Sequence, residues 1–313
     1  MTNSNERDDV GISVVVPCYR SELNLVRLYE ELSASLEGRT WQIILVDDAS
    51  GDATWEVIND LSGKHQNVRG IRLARNSGQH CALHAGIMCA EFPVTVTMDD
   101  DLQNPPAELK RLLAGLSESI DLVYGWSPVE SQSLYRRLAS KFFWFAFQLM
   151  FGEKHRQISS FRCFRTELRG GFTNPSSPII NIDAMLSWTT RSVAVVEVEN
   201  HPRASGSSSY STRKLIRHAL ELFQAFGATP LRFFSLFGAL FSLSSVILTL
   251  RILWNWFFGD PPPGYSSLAA LTTFVGGILL LGMAVLSKYI GTLIDHSAGR
   301  TPYLVIKSCG NEE

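Results

Sequence analysis

Apolar and polar positions alternate in blocks along the first 125 residues. Ile12-Ser13-Val14-Val15-Val16 is an apolar run closed by Pro17, and a short run of this kind reads as a strand buried on both faces. An amphipathic stretch over 22–36 follows and predicts a helix. The cycle repeats with a strand over 42–46, then Ser50-Gly51-Asp52 as the cap region of a helix running through Leu61. A third strand over 68–73 leads through Arg75-Asn76-Ser77-Gly78 into a helix over 79–89. A fourth strand, 94–98, precedes Pro105-Pro106, which suits the start of a helix over 107–116. A shorter fifth strand spans 121–124. This alternation predicts an α/β fold whose mainly parallel sheet is covered on both faces.

The pattern changes in the last third. Residues 233–250 and 261–287 carry no charge and are rich in Phe, Leu, Ala, Val and Ile. About 20 apolar residues span a bilayer core as a helix, so both stretches qualify as membrane spans; a pair of long buried helices is the alternative. Trp254, Trp256 and Tyr265 lie at the connection, where an interfacial belt belongs. Arg213, Lys214, Arg217 and Arg232 precede the first span and Lys288, Arg300 and Lys307 follow the second, while the connection holds only Arg251. The positive-inside rule then puts both chain ends at the cytoplasmic side and makes the two helices a hairpin. Gly238, Ser242 and Gly276-Gly277 would let the two helices approach closely. Two further segments suit a membrane surface. The stretch 134–151 begins with Arg136, Arg137 and Lys141 and continues with Phe142, Phe143, Trp144, Phe145, Phe147 and Phe151; an ordinary buried helix is the alternative. The stretch 212–226 sets Arg213, Lys214 and Arg217 against Leu215, Ile216, Leu220 and Phe223.

Composition narrows the classes. A chain of 313 residues allows one large or two modest domains. The formal net charge of −2 offers no basic field for nucleic acid. Cys18, Cys81, Cys89, Cys163 and Cys309 form no C-x-x-C pair and mostly fall in apolar segments, as expected of reduced thiols in a cytosolic compartment. Residues 1–9 are polar and acidic, unlike a signal peptide.

The chemistry collects where strands end. Asp47-Asp48 follow the second strand, Arg75 the third, and Asp99-Asp100-Asp101 the fourth. In open α/β sheets, ligands bind beyond the carboxyl ends of the strands. Crowded carboxylates repel unless a cation sits among them, so the Asp99–Asp101 run marks a divalent-metal site; a solvated acidic turn is the alternative. Neither G-x-G-x-x-G nor G-x-x-x-x-G-K-[ST] occurs, which argues against dinucleotide redox chemistry and a phosphate-loop ATPase. A nucleotide held by carboxylates, with metal on its phosphates, fits what remains. His80 and His84 stand four apart on a predicted helix, but no H-E-x-x-H glutamate accompanies them. Asp183 reads either as a surface acid or as a donor contact, and Cys163 as packing.

Several segments in order resemble glycosyltransferase family 2, in the branch that loads a sugar onto a polyprenyl phosphate such as dolichol or undecaprenyl phosphate. They are Val16-Pro17-Cys18-Tyr19, Val46-Asp47-Asp48-Ala49-Ser50, Arg75-Asn76-Ser77-Gly78-Gln79-His80, Asp99 through Pro106, Arg136 through Lys141, Gly206-Ser207-Ser208-Ser209-Tyr210, and Thr229-Pro230-Leu231-Arg232. The resemblance implies a GT-A, Rossmann-like domain over 11–211 after a polar tail (1–10). A juxtamembrane helix (212–230), a transmembrane hairpin over 231–290 (spans about 231–257 and 266–287) and a cytosolic tail (291–313) follow. It implies that Pro17 and Tyr19 line the nucleotide pocket, that Asp47 and Asp48 contact base and ribose, and that Arg75 lies beside the nucleotide. Asp99, Asp101 and Gln103 match the motif for metal and diphosphate, with Asp100 among the donor contacts. Arg136 and Ser140 match acceptor-phosphate positions, and Arg203 matches an arginine facing the donor phosphates.

The implied activity is inverting, metal-dependent transfer of a sugar, with Mg²⁺ or Mn²⁺, from a nucleotide sugar of the UDP type to undecaprenyl phosphate. The place implied is the cytoplasmic face of a bacterial inner membrane, and the partners implied include the lipid bilayer and further copies of the chain in a homo-oligomer. Arg20 and Ser21 replace the family's asparagine and glutamate, and Ser209 replaces its lysine; these changes fall around the donor and acceptor phosphates. A processive polysaccharide synthase would bring more spans and a Q-x-x-R-W motif, which is absent. A non-catalytic membrane protein binding a nucleotide sugar is the third alternative.

Overall fold

The computed structural model describes residues 10–127, 159–172, 180–201, 264–297 and 301–310, with Ile247, Leu250, Arg251, Trp254 and Phe258 singly. Arg136, Ser140 and Arg203, the basic-aromatic stretch 134–151, segments 206–210 and 229–232 and most of the expected first span lie outside the described residues. The chain divides into two units, 1–212 with 301–313 and 213–300.

The first unit is built on an eight-stranded sheet. Its elements are β1 (Ile12–Cys18), α1 (Leu25–Ser35), β2 (Trp41–Asp47), α2 (Thr54–Lys64), β3 (Val68–Leu73), α3 (Gln79–Met88), β4 (Val94–Thr97), α4 (Leu109–Ala114), β5 (Leu122–Trp126), β6 (Arg162–Arg165), α5 (Ile182–Thr189), β7 (Val193–Glu197) and β8 (Val305–Cys309). The strand order is β7-β5-β6-β4-β1-β2-β3-β8. The central strands β3-β2-β1-β4 are parallel, as the βα alternation predicts. The outer sheet is mixed. β6 lies antiparallel between β4 and β5, and β8 runs antiparallel along β3. Sequence periodicity missed β6 because its buried Cys163 and Phe164 are only a dipeptide between two arginines.

The apolar runs are continuous because both sheet faces are covered. Val14 and Val16 face a core layer with Leu25, Leu28 and Leu32 of α1, and Val15 faces the opposite layer with Ala82, Leu83 and Ile87 of α3. α1 buries positions three and four apart, as an amphipathic helix should. α3 differs: every residue from Cys81 to Ile87 is buried, so it has no solvent face over two turns. It reaches the sheet through Gly86, where a β-carbon would collide with Val15 and press on Val46.

The C-terminal residues, expected as a tail, fold back. β8 pairs Gly70 with Cys309 and Arg72 with Lys307, and Tyr303 just before it meets His84 of α3, oxygen to Nδ1, at 2.8 Å. Burial holds the Tyr303 phenol up at about 12, so it stays protonated at neutral pH.

In the second unit, α6 covers Tyr265–Ser297, 33 residues. Its exposed side chains include Leu268, Phe274, Leu279, Met283, Ile290 and Leu293. Judged on the described residues alone, no helix is long and apolar enough to cross a membrane.

Candidate active site

Parallel pairing sets the carboxyl ends of β1, β2 and β4 side by side. Cys18 registers with Asp47, and Val15 with Thr97, the last residue of β4 and two residues before Asp99. The loops beyond these ends enclose a cavity of about 320 Å³, lined by Pro17, Tyr19, Asp48, Gln79, Asp99 and Asp101, with Cys18, Asn76, Gly78, Ala82 and Asp100. Each loop carries one non-glycine residue in the left-handed region: Arg20 after β1 (φ 60°), Ala49 after β2 (φ 54°) and Leu102 after β4 (φ 57°). Such strain persists only where the surroundings over-determine it, and it clusters at ligand sites.

Asp48 sits on the cavity wall and organises the next loop. Its Oδ1 accepts from Ser77 N at 2.7 Å and its Oδ2 from Gly78 N at 2.8 Å. Gly78 has φ 91°, which a side chain would resist, and its amide turns inward there to meet the carboxylate. Burial raises the Asp48 pKa, and the two amide bonds partly offset it.

Asp47 does not line the cavity. It is fully buried; Oδ1 accepts from Ser50 N at 2.8 Å, and Oδ2 lies 3.2 Å from Arg72 Nε, at ion-pair range without hydrogen-bond alignment. Its visible work is to close the β2 turn and tie it to β3.

The three aspartates divide. Asp99 Oδ1 accepts from Gln79 Nε2 at 2.6 Å and Oδ2 from Ser160 Oγ at 2.7 Å. Asp100 accepts through Oδ2 from the Ser21 hydroxyl. Its pKa is pushed up to about 6, first by burial and then by Asp99 and Asp101, against the lowering effect of Ser21. Asp101 faces the cavity, and its Oδ1 also accepts from Gln103 N at 3.1 Å. Among the described residues, no three His, Cys, Asp or Glu side chains form a ready metal cage. Hard cations such as Mg²⁺ are typically held by one or two carboxylates plus substrate phosphates, and a cavity bordered by Asp99 and Asp101 suits that mode.

The remaining expected residues are placed as follows. Pro17 and Tyr19 line the cavity, with Tyr19 47% exposed and the Arg20 guanidinium 5.5 Å from its ring centre. Arg75 is exposed and Gln103 half-buried; neither is among the lining residues. Ser21 is the hydrogen-bond partner of Asp100. Asp183 is not a surface acid but a buried partner of Arg162. His80 meets Asn181 and Ile182 N. Sequence reasoning gave no role to Asn76, Gln79 or Ser160. The first two were visible as parts of a motif; Ser160 carries no local signal, since it lies 61 residues from its partner.

A carboxylate-lined cavity at the carboxyl ends of parallel strands, on a sheet with this mixed outer half, defines an α/β transferase domain of the GT-A type. Solved structures share that fold. The mannosyl-3-phosphoglycerate synthase of Rubrobacter xylanophilus matches with a TM-score of 0.50 at 16% identity, covering 71% of this chain and 74% of that one. The glucosyl-3-phosphoglycerate synthase of Mycobacterium tuberculosis, in complex with Mn²⁺, uridine-diphosphate-glucose and phosphoglyceric acid, matches with a TM-score of 0.51 at 16% identity, covering 72% and 82%. The chain belongs to glycosyl transferase family 2, whose model matches residues 13–171, and it is a glycosyltransferase. Among its relatives is the undecaprenyl-phosphate 4-deoxy-4-formamido-L-arabinose transferase of Pectobacterium atrosepticum, 32% identical over 309 residues, covering 96% of this chain and 94% of that protein. The protein of the same name from Aeromonas hydrophila is 30% identical over 324 residues, covering 96% and 94%.

Proposed function

We propose that this enzyme transfers a sugar from a nucleotide sugar, of the UDP type, to undecaprenyl phosphate, with inversion and with Mg²⁺ or Mn²⁺. The observation that carries the proposal is the placement of Asp48, Asp99, Asp100 and Asp101 around one cavity at the strand ends. The full-length similarity to transferases named for undecaprenyl phosphate supports the acceptor, and their 4-deoxy-4-formamido-L-arabinose is the first sugar to test.

Asp99, Asp101 and Gln103 are the residues that would hold the metal. Once bound, such a cation supplies neutralising charge for a departing nucleoside diphosphate. The protein does the rest by placement. Pro17, Tyr19 and Asp48 bound the pocket for the nucleoside, with Arg75 beside it. A phosphate monoester has a second pKa of about 6, so the acceptor is largely dianionic at neutral pH and attacks the anomeric carbon without a protein base. Arg136 and Ser140 would orient that phosphate, and Arg203 the donor phosphates. Bringing two anions together asks for fixed positive charge rather than a catalytic histidine. One direct displacement inverts the anomeric carbon.

The acceptor's lipid tail calls for a membrane site. Residues 231–257 and 266–287 would form a transmembrane hairpin, with 134–151 and 212–230 at the interface and 11–211 and 291–313 at the cytoplasmic face. The chain leaves the first unit at 212 and re-enters it at 301, which supports an even number of crossings.

The test supplies purified membranes with labelled nucleotide sugars and undecaprenyl phosphate. Label in the lipid extract is expected, with loss of metal-dependent transfer in Asp101→Ala. Label only in insoluble polymer, binding without transfer, or full activity in Asp101→Ala would overturn the reading.

A further inference from the structure

We propose that Ser160 and Gln79 are positioning residues that lock the Asp99 carboxylate onto the donor cavity, and that α5 braces both of them. This rests on the donor site proposed above and adds to it Ser160, outside the family motifs, and a role for Gln79 within one of them. A carboxylate turns broadly about its terminal torsion, and here two neighbouring carboxylates push on it. Two donors on separate oxygens, Gln79 at 2.6 Å and Ser160 at 2.7 Å, fix its plane.

Each donor is itself held, along a different route. Thr97 Oγ1 donates to Ser160 O at 2.7 Å and accepts from Arg162 Nε at 2.9 Å. Arg162, only 1% exposed, pairs through Nη1 with Asp183 of α5, to which Tyr124 also donates at 3.1 Å. On the other side, Gln79 adjoins His80, whose ring meets the side chain of Asn181 at 3.3 Å and the Ile182 amide at 3.4 Å, both at the start of α5. The two routes close a ring: Asp99, Ser160, Thr97, Arg162, Asp183, Asn181, His80, Gln79. A buried ion pair is weak evidence for stability, and in this proposal the Arg162–Asp183 pair serves to fix geometry.

The experiment uses the full chain in detergent. Binding of Mn²⁺ with uridine, guanosine or cytidine diphosphate is followed by calorimetry, and the tightest pair is carried forward. Ser160→Ala is expected to weaken that pair by about tenfold or more, the usual effect of removing an outer-shell partner, while the melting temperature stays near the parent's. Ser160→Thr keeps the hydroxyl and restores binding; Gln79→Ala, on an exposed side chain, repeats the loss without disturbing the core. Parent-like affinity in both alanine variants, or Ser160→Thr as weak as Ser160→Ala, would overturn the proposal. If the parent itself binds none of the three pairs, the donor-site reading falls and takes this one with it. Parent binding without any effect of the variants sinks this one alone.

Discussion

Asp100 shows how one residue records its surroundings. Its pKa rises from an ordinary 3.8 to about 6 because burial and two flanking carboxylates disfavour its charge. The folded state therefore holds the proton more tightly than the unfolded chain. The stability this contributes is fully present below 3.8 and is lost as pH rises through about 6. Without divalent cation, Asp100→Asn, which cannot ionise, should melt above the parent at about pH 8, and the gap should close toward about pH 4. Equal melting temperatures at the higher pH would contradict the burial penalty. The carboxylate run itself was legible in the sequence, since three acids directly after an apolar strand have few other uses. Arg162 and Asp183 were not legible: their pairing is tertiary, and Asp183 alone reads equally as a surface acid or a donor contact.

At the scale of elements, α3 links the carboxylate-lined cavity to the far edge of the sheet. Gln79 at its start touches Asp99, and His84 further along touches Tyr303. Its seat depends on Gly86, which packs against Val15 and Val46 with no room for a β-carbon. Gly86→Ala should destabilise by about 1–3 kcal/mol through overpacking, although alanine is the better helix former, and chemical denaturation would read it. An unchanged or higher midpoint would show that α3 tolerates a shift away from the sheet. The central strands and their helices were legible because each carries its own periodicity. β6, β7 and β8 were not, because short strands gain their identity from neighbours distant in sequence.

The proposed topology belongs to the molecule as a whole. With a hairpin over 231–290, a cysteine placed at Asp260 should react with a membrane-impermeant maleimide in spheroplasts, whereas one placed at Arg39 should react only after lysis. Reaction of both before lysis, or of neither, would exclude the arrangement. The sequence announced the apolar lengths but not the return of the chain to its first unit. That return has a temporal side. Synthesis proceeds from the amino end, so the outer N–H and C=O groups of β3 wait without their β8 partners until residues 213–300 have been made. β8 thus completes the β3 edge last, after the whole intervening unit has left the ribosome.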